Sequence, residues 1–143
     1  MKRFLNVIII FTLCSSEKCE QDEICKNGGH VGVEIVNNSN KVINFIFYWN
    51  YPDTIIGNYN PVNDGTQGIK PKASRIQPFS SHGSGCVESY FTVKEKEWIY
   101  IFDYDTITQL NWEIVRKTNR GLLERRLIDL EYLQQNDFKI IYP

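Results

Sequence analysis

Trp98-Ile99-Tyr100-Ile101-Phe102-Asp103-Tyr104-Asp105-Thr106 is the stretch whose reading decides the fold. Five apolar or aromatic residues without a break read as a strand covered on both faces, because a half-exposed strand would alternate. Asp103 ends the run, and Asp105 or Thr106 supplies the side-chain oxygen that caps a following helix. Ile107, Leu110, Trp112 and Ile114 give that helix an apolar side and carry it to about Lys117. Gly121 closes the connection, and Leu122 to Ile128 reads as the next strand. Asp129 caps a short helix, Leu130 to Gln135, and Phe138 to Tyr142 is a final strand.

Working upstream, Val31 to Val36 alternates like a half-buried strand, and Asn37-Asn38-Ser39-Asn40 supplies turn chemistry. Val42 to Trp49 is β-branched and aromatic, the expected partner of that strand in an antiparallel hairpin. Residues 50–72 carry Pro52, Pro61 and Pro71 and form a long loop, a kind of segment that is often functional or mobile. Pro78 restricts the short strand Arg75 to Phe79 to an edge or a strand end. Cys86 to Phe91 is long enough for one helical turn. Strands first, then strands alternating with helices, predict an α+β fold: a mainly antiparallel sheet with one medium and one short helix in the C-terminal half.

The 143 residues suffice for one domain, and their 42% hydrophobic content is that of a chain able to bury a core. A formal net charge of −1 with no basic block leaves nucleic-acid binding without its electrostatic footprint. The N-terminus differs from the rest. Met1-Lys2-Arg3 is basic, and Phe4 to Leu13 is apolar apart from Asn6 and Thr12. Ten helical residues rise about 15 Å, half a hydrocarbon core, so this is the pattern of an export signal rather than a membrane span. The rival reading is an apolar N-terminal strand in the core.

Phe11-Thr12-Leu13-Cys14 looks like a bacterial lipobox, whose cysteine becomes the first mature residue and carries the lipid; Leu13 stands where that box usually has Gly, Ala or Ser. The polar, acidic stretch Ser15 to Glu23 is similar to the tether that directs some Bacteroidota lipoproteins to the cell surface. The expected organisation is a signal peptide (1–13), an acidic tether (14–29) and one α+β domain (30–143). Loss of residues 1–13 leaves 14 basic and 17 acidic side chains, net −3, so the acyl chains attached at Cys14 would have to hold the protein at the membrane.

With Cys14 lipidated, Cys19, Cys25 and Cys86 allow one disulfide and one free thiol in an oxidising compartment. Cys25–Cys86 would close a long loop, and Cys19–Cys25 is its local rival. No Cys-x-x-Cys pair is present, and only His30 and His82 are available to assist the cysteines, so no metal site or cofactor is expected.

Three constellations bear on chemistry. The strand end Asp103-Tyr104-Asp105-Thr106 looks like the first motif of haloacid-dehalogenase-type phosphatases, in which the first Asp is the nucleophile and the second handles the leaving-group proton. Only 37 residues follow Thr106, too few for that family's later motifs, and helix capping explains the same residues. Gly83-Ser84-Gly85-Cys86, next to His82, departs from Gly-x-Ser-x-Gly and reads as a turn. The aromatic residues Tyr48, Trp49, Tyr51 and Tyr59 sit at a strand end and in the long loop, where they can stack on sugars or anchor a protein partner. Alternation places Tyr48 and Trp49 on opposite faces of their strand. Asp53-Thr54-Ile55 and Asp105-Thr106-Ile107 repeat a triplet similar to the O-glycosylation signal of exported Bacteroidota proteins, with Thr54 the better acceptor.

The ordered segments Tyr51-Pro52-Asp53-Thr54, Phe102-Asp103-Tyr104-Asp105-Thr106, Trp112, Arg125-Arg126, Asp129-Leu130-Glu131 and Ile140-Ile141-Tyr142-Pro143 carry a further likeness. Over residues 31–143 the chain resembles a family of small uncharacterised Bacteroidota lipoproteins, departing from it at Asp137-Phe138, where the family has Asn-Trp. The resemblance implies export and the extent of the domain, and no mechanism. The expected function is therefore an exported lipoprotein of the cell envelope, held by lipid at the outer membrane on its periplasmic side or at the cell surface. Its domain is expected to be non-catalytic and to recognise a protein or glycan. The alternatives are a small envelope hydrolase or phosphatase using Asp103 and Asp105, or a structural assembly subunit.

Overall fold

A computed structural model describes residues 25, 28–48, 51–63, 65, 67–79 and 85–143. Cys14, Cys19, Trp49, His82, the expected signal peptide (1–13) and most of the expected tether (14–29) lie outside the described residues. The elements in order are β1 (Gly32–Asn37), β2 (Ile43–Tyr48), β3 (Ala73–Pro78), α1 (Val87–Val93), β4 (Lys96–Asp103), α2 (Tyr104–Gln109), α3 (Trp112–Thr118), β5 (Leu122–Asp129), α4 (Leu130–Gln135) and β6 (Lys139–Tyr142). They form an α+β fold with two three-stranded sheets, ordered β3-β1-β6 and β2-β4-β5. All pairings are antiparallel except β1 with β6.

β4 is the centre of its sheet and is covered on both faces, as its unbroken apolar run requires. Ile99 and Ile101 point into the core shared with the other sheet, among Val33, Ile35, Phe45 and Ile140. Tyr100 and Phe102 point the opposite way, into a second cluster with Ile46, Ile56, Ile107, Trp112 and Val115. α2, α3 and the segment around Ile56 cover that second face.

The expected hairpin of β1 with β2 does not form. The two strands belong to different sheets, and their apolar sides meet across the core. Asn37, fully buried, causes the difference. Its Nδ2 donates to the carbonyls of Lys41 at 2.7 Å and Ile69 at 2.9 Å, while Oδ1 accepts from Ser39 N–H at 3.0 Å and Ser39 Oγ at 2.6 Å. With all its hydrogen-bonding capacity spent on the turn, Asn37 bends the chain from one layer to the next.

The single helix expected up to Lys117 is two helices. Leu110 has an extended backbone, and Asn111 starts the second helix by accepting from Glu113 N–H at 2.8 Å. The first is capped by Asp103, which accepts from Thr106 N–H, and not by Asp105 or Thr106. Asp129 caps α4 through Tyr132 N–H. β3 is an edge strand. Phe79 N–H donates to Val31 C=O, so the preceding Pro78 turns its nitrogen outward, where no strand needs a donor.

Candidate functional site

The stretch between β2 and β3 has no regular secondary structure in its described part, yet it is pinned. Ile43 and Ile69 exchange backbone hydrogen bonds at 3.0 and 2.7 Å. Asn44 Nδ2 donates to Pro61 C=O at 3.2 Å, Trp112 Nε1 to Gly57 C=O at 3.1 Å, and Arg116 Nε to Ile56 C=O at 2.9 Å. Gly57 packs against the Tyr48 ring so closely that a Cβ there would lie 1.9 Å from the Tyr48 hydroxyl. The Tyr51-Pro52 peptide bond is cis.

These tethers frame a cleft of about 390 Å³ between the outer edge of β2 and the inner face of β3, lined by Asn44 to Tyr48, Tyr59, Pro61, Arg75 and Gln77. Its size is within the range of ligand sites. The two walls differ in character. β2 supplies Phe45 and Phe47, whose rings meet edge to face at 5.8 Å, with Phe79 packed behind Phe47 at 5.0 Å. β3 supplies Arg75 and Gln77 at inward positions where sheet packing ordinarily calls for apolar residues. The Arg75 guanidinium donates to Gln67 C=O, which holds it at the cleft. Out of phase with them, Ile76 is 63% exposed.

The β2 wall also presents backbone. Ile43 turns its N–H and C=O away from β4 toward Ile69, so by alternation Phe45 and Phe47 face the same way. Asn44 Oδ1 accepts the Phe45 N–H at 2.9 Å. Past the Ile69 bridge no strand among the described residues adjoins this side of β2, toward which the N–H and C=O of Phe47, a lining residue of the cleft, also point.

A second polar group lies on the other face of the same sheet. Among the described residues Trp98 Nε1 and Tyr100 Oη are buried and have no hydrogen-bond partner. Arg125 stacks over Trp98, its guanidinium carbon 5.3 Å from the ring centroid, and donates to Thr54 C=O at 3.4 Å. Burial raises the Tyr100 hydroxyl pKa, with the Arg125 charge pulling the other way.

Of the recognition aromatics expected from sequence, Tyr59 lines the cleft and is half exposed, Tyr51 is exposed outside its lining, and Trp49 lies outside the described residues. Thr54 is exposed in the same segment. Cys25 and Cys86 are joined by a disulfide, Cα to Cα 5.5 Å, at the start of α1. Beside it His30 Nδ1 meets Glu88 Oε1 at 2.7 Å, and the imidazole stacks on Phe138 at 3.5 Å.

Asp103 and Asp105 have separate surroundings. Asp103 Oδ2 pairs with Lys41 Nζ at 2.7 Å, and Oδ1 accepts from Thr106 N–H at 3.1 Å. Burial opposes ionisation of Asp103, but these donors outweigh it and hold its carboxyl below the ordinary value. Asp105 is exposed in the first turn of α2. Among the described residues no three His, Cys, Asp or Glu side chains are grouped to hold a metal, and no helix is long and apolar enough to cross a membrane.

Arg75, Gln77, Asn44 and Phe47 are the cleft residues that the sequence does not disclose. The one available signal is the order Arg75-Ile76-Gln77, in which a lone apolar residue between polar ones says nothing of which face is inward. No family model matches the chain, and no curated protein or solved structure matches it either.

Proposed function

We propose that this chain is an exported cell-envelope lipoprotein, anchored through Cys14, whose domain recognises a partner at the cleft between β2 and β3. The cleft is the observation that carries the recognition half of this reading. It joins an apolar aromatic wall to a cationic, hydrogen-bonding wall and is held open by tethered chain rather than by side chains alone. Exposed Tyr59 at its rim is the kind of residue that anchors interfaces. Of the two carboxylates of the alternative, hydrolytic reading, Asp103 has structural work in a cap and an ion pair, and Asp105 stands apart from it, exposed on α2. The basic start, short apolar run and acidic tether support export.

Photo-crosslinking in the native cells tests the recognition half. The substitution Tyr59→p-benzoylphenylalanine is expected to give a discrete adduct with a protein or glycan of the envelope. The same group at Ile114, exposed on α3 in the cover of the opposite face, is expected to give none. Absence of any adduct at position 59, or identical adducts from both positions, contradicts it.

A further inference from the structure

We infer that the cleft takes an extended peptide segment of another protein, added as a strand to the outer edge of β2, with an acidic side chain directed at Arg75. The inference rests on the recognition reading above and names the chemistry of its partner.

Backbone geometry carries most of the argument. An unpaired strand edge offers donors and acceptors at the strand repeat, and another extended backbone is the ligand that matches them. In β2 that offer is specific. The Phe45 N–H is already taken by Asn44, whereas the N–H and C=O of Phe47 together make one complete site for a closely spaced antiparallel pair. Native folds blunt edges they do not use, as β3 does with Pro78. β2 has no proline, and among the described residues its cleft lining contains no acidic residue and no lysine.

The two walls specify the side chains. A strand laid along β2 sends alternate residues to opposite faces, so one set meets Phe45, Phe47 and Pro61 and calls for an apolar group. Across the cleft, Arg75 and Gln77 call for an acceptor. Among the described lining residues Arg75 carries the charge, which makes a carboxylate the complementary group.

Selection of a displayed library of random heptapeptides on the full chain, followed by amide hydrogen exchange of the ¹⁵N-labelled protein with an enriched peptide, tests the inference. Enriched sequences are expected to alternate apolar and polar residues and to contain Asp or Glu. The Phe47 amide is expected to slow about tenfold on binding, while Ile46 and Tyr48, already bonded to β4, keep their rates. Arg75→Gln is expected to remove the preference for the acidic residue while leaving strand addition intact. Failure to enrich any peptide, or enriched peptides that leave Phe47 exchange unchanged, overturns the inference. Phe47 protection that grows with protein concentration alone, or that a glycan produces and peptides do not, also overturns it, in favour of a second copy or a sugar. A partner crosslinked in cells from position 59 without peptide protection at Phe47 defeats the strand inference and leaves the recognition reading standing.

Discussion

Asn37 donates to the Ile69 carbonyl at 2.9 Å from a fully buried position, and this contact joins the first sheet to the segment that frames the cleft. Ile69 also pairs with Ile43 at the start of β2, so a single side chain sets the spacing of the two layers where the cleft begins. Asn37→Leu removes two donors and one acceptor: the Ile69 and Lys41 carbonyls keep only Ile43 N–H and Ser39 Oγ, and Ser39 N–H loses its acceptor; a loss of about 3 kcal/mol is expected. Chemical denaturation measures it, and a loss below about 1 kcal/mol would show that the turn does not depend on Asn37.

Glu97 is a buried carboxyl with one satisfied oxygen. Oε2 accepts from Tyr90 Oη at 2.9 Å, and Oε1 has no partner among the described residues. Burial pushes its pKa up to about 7, with the Tyr90 hydrogen bond and Lys94 pulling the other way. The folded value lies above the unfolded one, so Glu97's contribution is fully present below about pH 4.5 and is lost as pH rises through about 7. Glu97→Gln is expected to flatten this dependence and to raise stability above pH 7 by an amount on the order of 3 kcal/mol. Melting curves across pH 4 to 8 decide the point, and an unchanged slope in the variant would contradict it.

Asp103 works in the opposite direction. Its folded pKa lies below 3.8, so its contribution is present above that value and is lost as pH falls toward the folded pKa. Asp103→Ala removes the cap of α2 and is expected to cost about 1 kcal/mol at pH 7. The difference between wild type and variant should shrink at strongly acid pH; a difference that stays constant would show that the cap acts without its charge.

The Cys25–Cys86 bridge closes a loop with a sequence separation of 61 residues. Loop-closure entropy assigns a bridge of this size about 4 kcal/mol. Equilibrium unfolding of Cys86→Ala against the oxidised protein measures this, and equal stabilities would remove the bridge from the account.

Asp137 and Phe138 both have positive φ, 58° and 54°, in the connection from α4 to β6. Asp137 is exposed, with one surface ion pair to Lys139 at 3.4 Å. Asp137→Gly is expected to stabilise the fold by about 1 kcal/mol by relieving a left-handed backbone position. A destabilised variant would show that the Asp137 side chain matters more than its backbone.

Local signals carried the elements well. The unbroken run Trp98 to Phe102, the Asp129 cap and the outward proline of β3 follow from rules that act over a few residues. Pairing partners did not follow. Asn37 to Asn40 has the composition of a hairpin turn, and only the buried contacts of Asn37 with Lys41 and Ile69 turn it into a passage between sheets. The break at Leu110 is hidden because Ile107, Leu110 and Ile114 keep helical spacing across it. The cleft was the least legible feature: Tyr59 stands out as an aromatic in a loop, but the parity of Phe47, Arg75 and Gln77 is fixed by contacts with Ile69 and Val31, which no local pattern contains.

The central claim is that the domain is presented at the envelope by a lipid on Cys14. Metabolic labelling with an alkynyl fatty acid, followed by membrane fractionation of wild type and Cys14→Ala, tests it most directly. The account predicts a labelled, membrane-bound wild type and an unlabelled variant that leaves the membrane fraction. An unlabelled wild type, or label that survives Cys14→Ala, contradicts it.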